Sequence, residues 1–366
     1  MIPLLNTNNK NCMFISDLFE GVVSQDLLGV IRILSSKKWF SIEQYNFCLK
    51  NLSFGDYESS DRPQSVPTKL KDKKLAGKAC SIWLHMRYFP LVVRMFVKDS
   101  DDMALTLGLR LHEIVERLTA GEFQEYEIVV LDELIINYLN ERKVVAEMFH
   151  SLLGNPKPKT HYLSHYPQAV KLYGPPMAYW TARYESRHRL AKNTAESSKN
   201  FKNISLTIAS RQQMRLSSVM YHGMFSSSKI FIMSKPMARN SLSDQTEAGR
   251  VLKTIMDSSD TLSTDVEYCG QVYRKRQLVI TQLISPDEMK VGIIQMILVK
   301  KESVCFVLQE FTAYRQPLRY FKSTLKDSTL VVVDATKISD YKPLVNLGTS
   351  SQLVFCLHHN ISFSYL

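Results

Sequence analysis

The sequence predicts an α+β protein in two parts: a mostly helical amino-terminal domain followed by a small all-β domain of barrel-like or sandwich form. Two observations carry this. Across residues 17–153 apolar side chains recur at three-to-four-residue steps, the spacing of one buried helix face. From about residue 264 they gather instead into short Val- and Ile-rich runs separated by Gly, Pro, Asp and Lys, as antiparallel strands require. The expected boundaries are a helical domain over 1–225, a connection over 226–263 rich in Ser, Thr and Asp, and the β domain over 264–366.

The helices follow in order. Leu18, Val22, Leu27, Val30, Ile31 and Leu34 place a helix over 17–35, and a second, shorter one fits 42–52. Residues 56–74, with Pro63, Pro67 and several Ser and Asp, read as a loop. The apolar stretch 75–97 is helical, with Pro90 expected to kink or split it, because proline removes an N–H and its ring clashes with the preceding turn. Asp101 and Asp102 suit the start of a helix running to about 119, with Gly121 as its stop. Residues 126–153 form a long amphipathic helix ended by Gly154, and Gly174-Pro175-Pro176 is a rigid turn before another helix. In the second part, strands are expected at 278–284, 291–299, 304–308, 330–333 and 353–357. No internal repeat is visible.

Composition narrows the function classes. The chain has 366 residues, a formal charge of +11 and a pI near 9.2, a balance that favours phosphate-rich partners through counterion release. Six cysteines lie far apart, with neither the spacing of a zinc knuckle nor that of a secreted disulfide framework, so buried free thiols in a reducing compartment are expected. No apolar run approaches the roughly 18 residues of a membrane span, and residues 1–10 are polar, unlike a signal peptide. A soluble intracellular protein without a membrane partner is expected. Lys69, Lys71, Lys73 and Lys74 would serve as a nuclear-import patch or as a solvated loop face.

The charge is concentrated. Residues 157–215 hold eleven Lys or Arg against two acids, Glu185 and Glu196. Tyr162, Tyr166, Tyr173, Tyr179, Trp180, Tyr184 and Phe201 interleave them. Such a segment can neutralise phosphates and stack on unpaired bases, or its aromatics can be core and its charges a solvated face. His161 and His165, four apart, share a helix face and could begin a metal site, with His188 and Glu185 as the nearest further donors; packing is the alternative. Glu185, among Arg183, Arg187 and Arg189, is open to two readings: a metal ligand, or the partner of Arg189 at i+4.

These residues carry a resemblance. Pro158-Lys-Thr-His161-Tyr-Leu-Ser-His165-Tyr-Pro167, Tyr173-Gly-Pro-Pro176, Trp180-Thr-Ala-Arg183-Tyr-Glu185-Ser-Arg-His188 and Asn200-Phe-Lys-Asn203 resemble the carboxy-terminal part of animal CACTA (En/Spm-type) transposases and proteins derived from them. Asp17-Leu-Phe-Glu-Gly21, Leu75-Ala-Gly-Lys78, Gly270-Gln-Val-Tyr273 and Asp340-Tyr-Lys-Pro-Leu344 fit the rest of that pattern. The resemblance implies a ribonuclease-H-like core with an Asp-Asp-Glu triad holding two magnesium ions, interrupted by a helical insertion, with Glu185 as the final carboxylate. It also implies DNA as partner and a nuclear location; without it, a cytoplasmic one is expected. The family's His before the acidic string is Ser16 here, and residues 1–185 lack the strands that would carry two aspartates.

The expectation is therefore a transposase-derived DNA-binding protein without catalytic activity: the remnant of the insertion and final helix of that core, with a vestigial Glu185. Its DNA contacts would be Arg183, Arg187, Arg189, Lys192, Lys199, Lys202, Arg211 and Arg215; a metal would involve Glu185, His161 and His165. Two alternatives are an active transposase or nuclease completed by an upstream segment or partner, using Mg2+, and a scaffold whose β domain binds a protein.

Overall fold

The computed structural model of the chain describes residues 15–55, 58–180, 182–200, 202–221, 230–237, 247–257, 259–324, 328–349 and 351–361; the side chains at 15, 16, 182–188, 248 and 324 fall outside that description. The chain is α+β, with helices in its amino-terminal part and sheets in its carboxy-terminal part. It forms two units: Met1–Thr181 with Gln316–Tyr320 and Phe355–Leu366, and Ala182–Arg315 with Phe321–Val354.

The first unit is built around a central helix. Ile15–Val23 is wound as a π-helix and runs directly into α1 (Ser24–Ser36), because Val23 keeps helical angles. Every residue of α1 from Ser24 to Leu34 is buried. Its apolar spacing gave one inward face, but neighbours cover the helix all round, so its polar side chains need internal partners. Arg32 donates to the carbonyls of Lys69 at 2.6 Å and Asp72 at 2.7 Å. Asn46 clasps the backbone of Val66 in both directions, at 2.7 and 3.0 Å. The long loop before Lys74 is thereby tied to helices on both sides.

Capping fixes the remaining starts. Helix α2 (Ile42–Lys50) has a reciprocal box between Ser41 and Gln44, and α4 (Met103–Leu118) starts where Asp102 Oδ1 accepts from the N–H groups of Ala104 and Leu105. Between them lies α3 (Ala79–Val93), which contains Pro90 and continues for another turn instead of splitting there. The expected helix over 126–153 divides into α5 (Glu125–Met148) and α6 (His150–Leu153), because Phe149 leaves the helical region at φ −127°, ψ 44°. Gly154, at φ 71°, then ends α6 in the left-handed conformation glycine tolerates. The carboxy-terminal segments complete this unit through ionic contacts: Arg319 reaches Glu113 at 2.8 Å and Glu116 at 3.1 Å, and Arg87 donates to the carbonyl of Leu357 at 2.8 Å.

The second unit opens with α9 (Ala182–Ser198) and α10 (Ile204–Tyr221) and continues with two antiparallel sheets. The smaller pairs β1 (Ile230–Ile232), β3 (Asp265–Tyr268) and β4 (Gln271–Arg274). The larger is centred on β6 (Glu288–Val299) and β7 (Val304–Arg315), paired from Glu288–Tyr314 to Val299–Val304 with a bulge between Ile294 and Met296. β6 is flanked by β2 (Thr261–Ser263) and β5 (Leu278–Ser285); β7 by β8 (Phe321–Thr324) and β9 (Thr329–Asp334), with β10 (Gln352–Phe355) beyond β8. Alternation along β7 explains its continuous apolar run. Val304, Phe306 and Leu308 face a core shared with Val266 of β3 and Tyr273 of β4. Val307 faces the other way and packs with Leu252 of α11 (Glu247–Ile255) and with Met256. A strand covered on both faces is apolar throughout. Residues 226–263, expected as a connection, thus carry β1, α11 and β2.

Candidate nucleic-acid interface

The basic segment 157–215 is shared between the units: 157–181 belongs to the first and 182–215 to the second.

In the first unit the segment folds as α7 (Pro158–Tyr162), a 3-10 turn at Leu163–His165 and α8 (Tyr166–Tyr173), with Pro176–Ala178 as a further 3-10 turn. Its apolar positions face inward: Leu163, Tyr166, Val170 and Trp180 are buried. Trp180 stacks on Phe19 at 6.2 Å between ring centroids and meets Trp83 edge-on at 5.6 Å. Tyr166 and Trp180 are therefore core residues and not stacking platforms for bases; Tyr173 is half exposed. Tyr184 and Phe201 lie outside the described residues and side chains.

His161 and His165 are exposed, with ring centroids 5.0 Å apart and planes nearly perpendicular. Among the described residues no group of three or more His, Cys, Asp or Glu is placed to hold a metal ion. Asp17 is buried and pairs with Lys159 at 3.6 Å, and Asp99 accepts from the N–H of Asp101. Glu185 stands on α9, and its side chain, like those of Arg183, Arg187 and His188, is outside the described ones. No β-strand occurs among the described residues before Ile230.

In the second unit α9 (Ala182–Ser198) and α10 (Ile204–Tyr221) pack as a helical hairpin. Asparagine chemistry makes the corner. Lys199 takes the left-handed conformation at φ 49° directly after α9. Asn200 Oδ1 accepts from the N–H groups of Lys202 and Asn203, and its amide nitrogen donates to Thr207 Oγ1 at 2.9 Å. Asn203 Oδ1 accepts from the N–H of Leu206 at 3.2 Å, which starts α10. The Asn200-Phe-Lys-Asn203 string is thus a helix stop followed by a helix start.

This hairpin presents the charge. Arg189, Lys192, Lys199, Lys202, Arg211 and Arg215 are all exposed, and among the described side chains of the hairpin the only acid is Glu196. Arg211 is held by a 2.8 Å bond from Nη1 to Ser197 Oγ, which orders one guanidinium across the two helices. None of the residues of α10 is buried. Helices this exposed offer Lys and Arg side chains to solvent with little desolvation, the condition for displacing counterions from a polyanion.

Sequence reasoning missed one convergence. Lys74, placed on a loop, comes together with Lys157 and Lys159 around a single cleft of the first unit. No local pattern joins positions so far apart, and only the basic run itself pointed to the last two.

No helix among the described residues is long and apolar enough to cross a membrane. Comparison with known proteins gives no match: no family model, no characterised protein and no solved structure is significantly similar to the chain.

Proposed function

We propose that the chain is a DNA-binding protein derived from a CACTA-type transposase and without catalytic activity of its own. The observation that carries this reading is the α9–α10 hairpin, on which six described Lys and Arg side chains are solvent-exposed beside one acid. Together with Arg183 and Arg187 they make the surface that contacts phosphates. Such contacts position a duplex and carry no sequence information, so the binding is salt-sensitive and weakly selective. Burial of Tyr166 and Trp180 favours a duplex or backbone ligand over base stacking.

In this reading Glu185 is the inherited third carboxylate, and Mg2+ would bind only where two further carboxylates were supplied by another segment or chain. The helical part would descend from the insertion and last helix of a ribonuclease-H-like core, the β part would be a barrel-like or sandwich domain, and the location would be nuclear. The test is binding of the full chain to a fluorescent duplex across a salt series. Affinity that falls steeply with salt supports the reading, and absence of binding at low salt rejects it. Mg2+-dependent nicking abolished by Glu185→Gln would replace it with the enzyme reading.

A further inference from the structure

The cleft lined by Lys74, Lys157 and Lys159 lies in the first unit, and none of its lining residues is among those to which DNA contact is assigned. Its volume is about 270 Å³. The π-helical segment contributes Glu20 and Gly21 to its lining, and the start of α7 contributes Lys157, Lys159 and Thr160. Wide helical turns of this kind occur often at ligand sites.

Two neutral polar residues also line the cleft. Thr160 is only 3% exposed, it lines the cleft, and its hydroxyl has no hydrogen-bond partner among the described residues. A hydroxyl of this kind can rotate to donate to an acceptor that enters the cleft. Gln25, 9% exposed, also lines the cleft; its amide nitrogen is only 3.5 Å from the carbonyls of Leu153 and Asn155, at the outer limit for a bond. Three lysines line the cleft against one carboxylate, Glu20. Asp17 offsets part of the Lys159 charge from 3.6 Å.

A surplus of cations beside neutral donors suits a compact dianion with several acceptor oxygens. We propose that this cleft binds a phosphoryl group, with Lys74, Lys157 and Lys159 neutralising its charge and Thr160 and Gln25 donating to its oxygens. Glu20 then accepts from a hydroxyl or amino group on the same ligand. The phosphoryl group belongs either to a small phosphorylated molecule or to a nucleic-acid end.

The test is calorimetric titration of the full chain with inorganic phosphate, then with adenosine 5′-monophosphate, at ionic strength held constant with chloride. Saturable binding is expected for both, weakened at least tenfold by Thr160→Val and by Lys157→Gln with Lys159→Gln. Circular dichroism checks that the variants fold, and Lys74→Gln, on an exposed loop position, gives the same loss if they do not. An oligonucleotide that gains affinity from a 5′-phosphate only when the cleft is intact identifies the nucleic-acid source; equal affinity with and without that phosphate identifies the small molecule. Phosphate binding absent beyond the chloride control, or unchanged in all three variants, overturns the proposal. Arg211→Gln with Arg215→Gln leaves phosphate binding intact, so a failure of DNA binding on the hairpin is distinguishable from a failure of the cleft.

Discussion

Arg142 grips Asp26 with two parallel bonds, Nε to Oδ2 at 2.7 Å and Nη2 to Oδ1 at 2.8 Å, between side chains 116 positions apart and each 1% exposed. Tyr138 donates a third bond to the same carboxylate, and burial beside that carboxylate pushes its phenol well above the usual range. This pair fastens α5 to the central helix. Removing one partner leaves an uncompensated buried charge, which costs about 3–5 kcal/mol. Asp26→Asn is therefore expected to lose that much in urea denaturation, whereas Asp26→Leu combined with Arg142→Met recovers much of it. A single-variant loss below about 1 kcal/mol would show that the pair is not the fastening.

The contact of α1 with α6 depends on a missing side chain. A β-carbon at Gly29 would stand 2.5 Å from Leu153 Cδ1 and 3.1 Å from Leu153 Cα. The first atom can swing away, but the second is backbone. Gly29→Ala is expected to destabilise the fold by about 1–3 kcal/mol despite the gain in helix propensity. Thermal denaturation of the variant checks this, and an unchanged or raised Tm would contradict it.

Acid sensitivity has an identifiable source in His85, whose Nε2 lies 3.0 Å from the Tyr45 hydroxyl. Burial lowers its pKa to about 3, so the folded protein holds it neutral. The unfolded chain takes up this proton near pH 6.5, and the folded chain does so only near pH 3. Stability is thus full above pH 6.5 and falls as pH drops through that window. The expected slope is up to about 1.4 kcal/mol per pH unit. Urea midpoints between pH 7 and pH 5, above the range in which ordinary carboxylates titrate, should show this slope in the native protein and a flatter one in His85→Gln. Equal slopes would remove His85 as its cause.

Much of the helical part was legible because local chemistry wrote it: Asp102 marks a helix start, and apolar spacing marks the faces. What escaped depends on partners distant in sequence. The long strands β5, β6 and β7 have strong apolar runs, whereas β1 to β4 and β8 are three or four residues long and stand as strands only through their neighbours. The break at Phe149 and the persistence of α3 through Pro90 likewise answer to packing. For the candidate site, the density of charge was visible, since charge needs no partner. The fate of the aromatics was not, because Trp180 is buried by Phe19 and Trp83 from the other end of the same unit.

Charge removal on the hairpin should separate contact from bulk electrostatics. Lys192→Gln and Arg215→Gln, both exposed, are expected to weaken duplex binding by similar factors on unrelated sequences, each lowering the salt slope by about 1. Stability in urea should move by no more than about 0.5 kcal/mol, because neither side chain is part of a core. Fluorescence anisotropy on two unrelated duplexes measures the first effect; a sequence-selective loss would assign the residue to base readout instead.

The most direct measurement is the slope of log affinity against log salt for the full chain on a short duplex, compared with a variant carrying Gln at 189, 192, 199, 202, 211 and 215 together. If these six and Arg183 and Arg187 make the contact, the native slope is about −7 and the variant's falls to about −2 with its fold intact. A slope that survives the sixfold substitution, or a native protein that binds no duplex at low salt, would contradict the account.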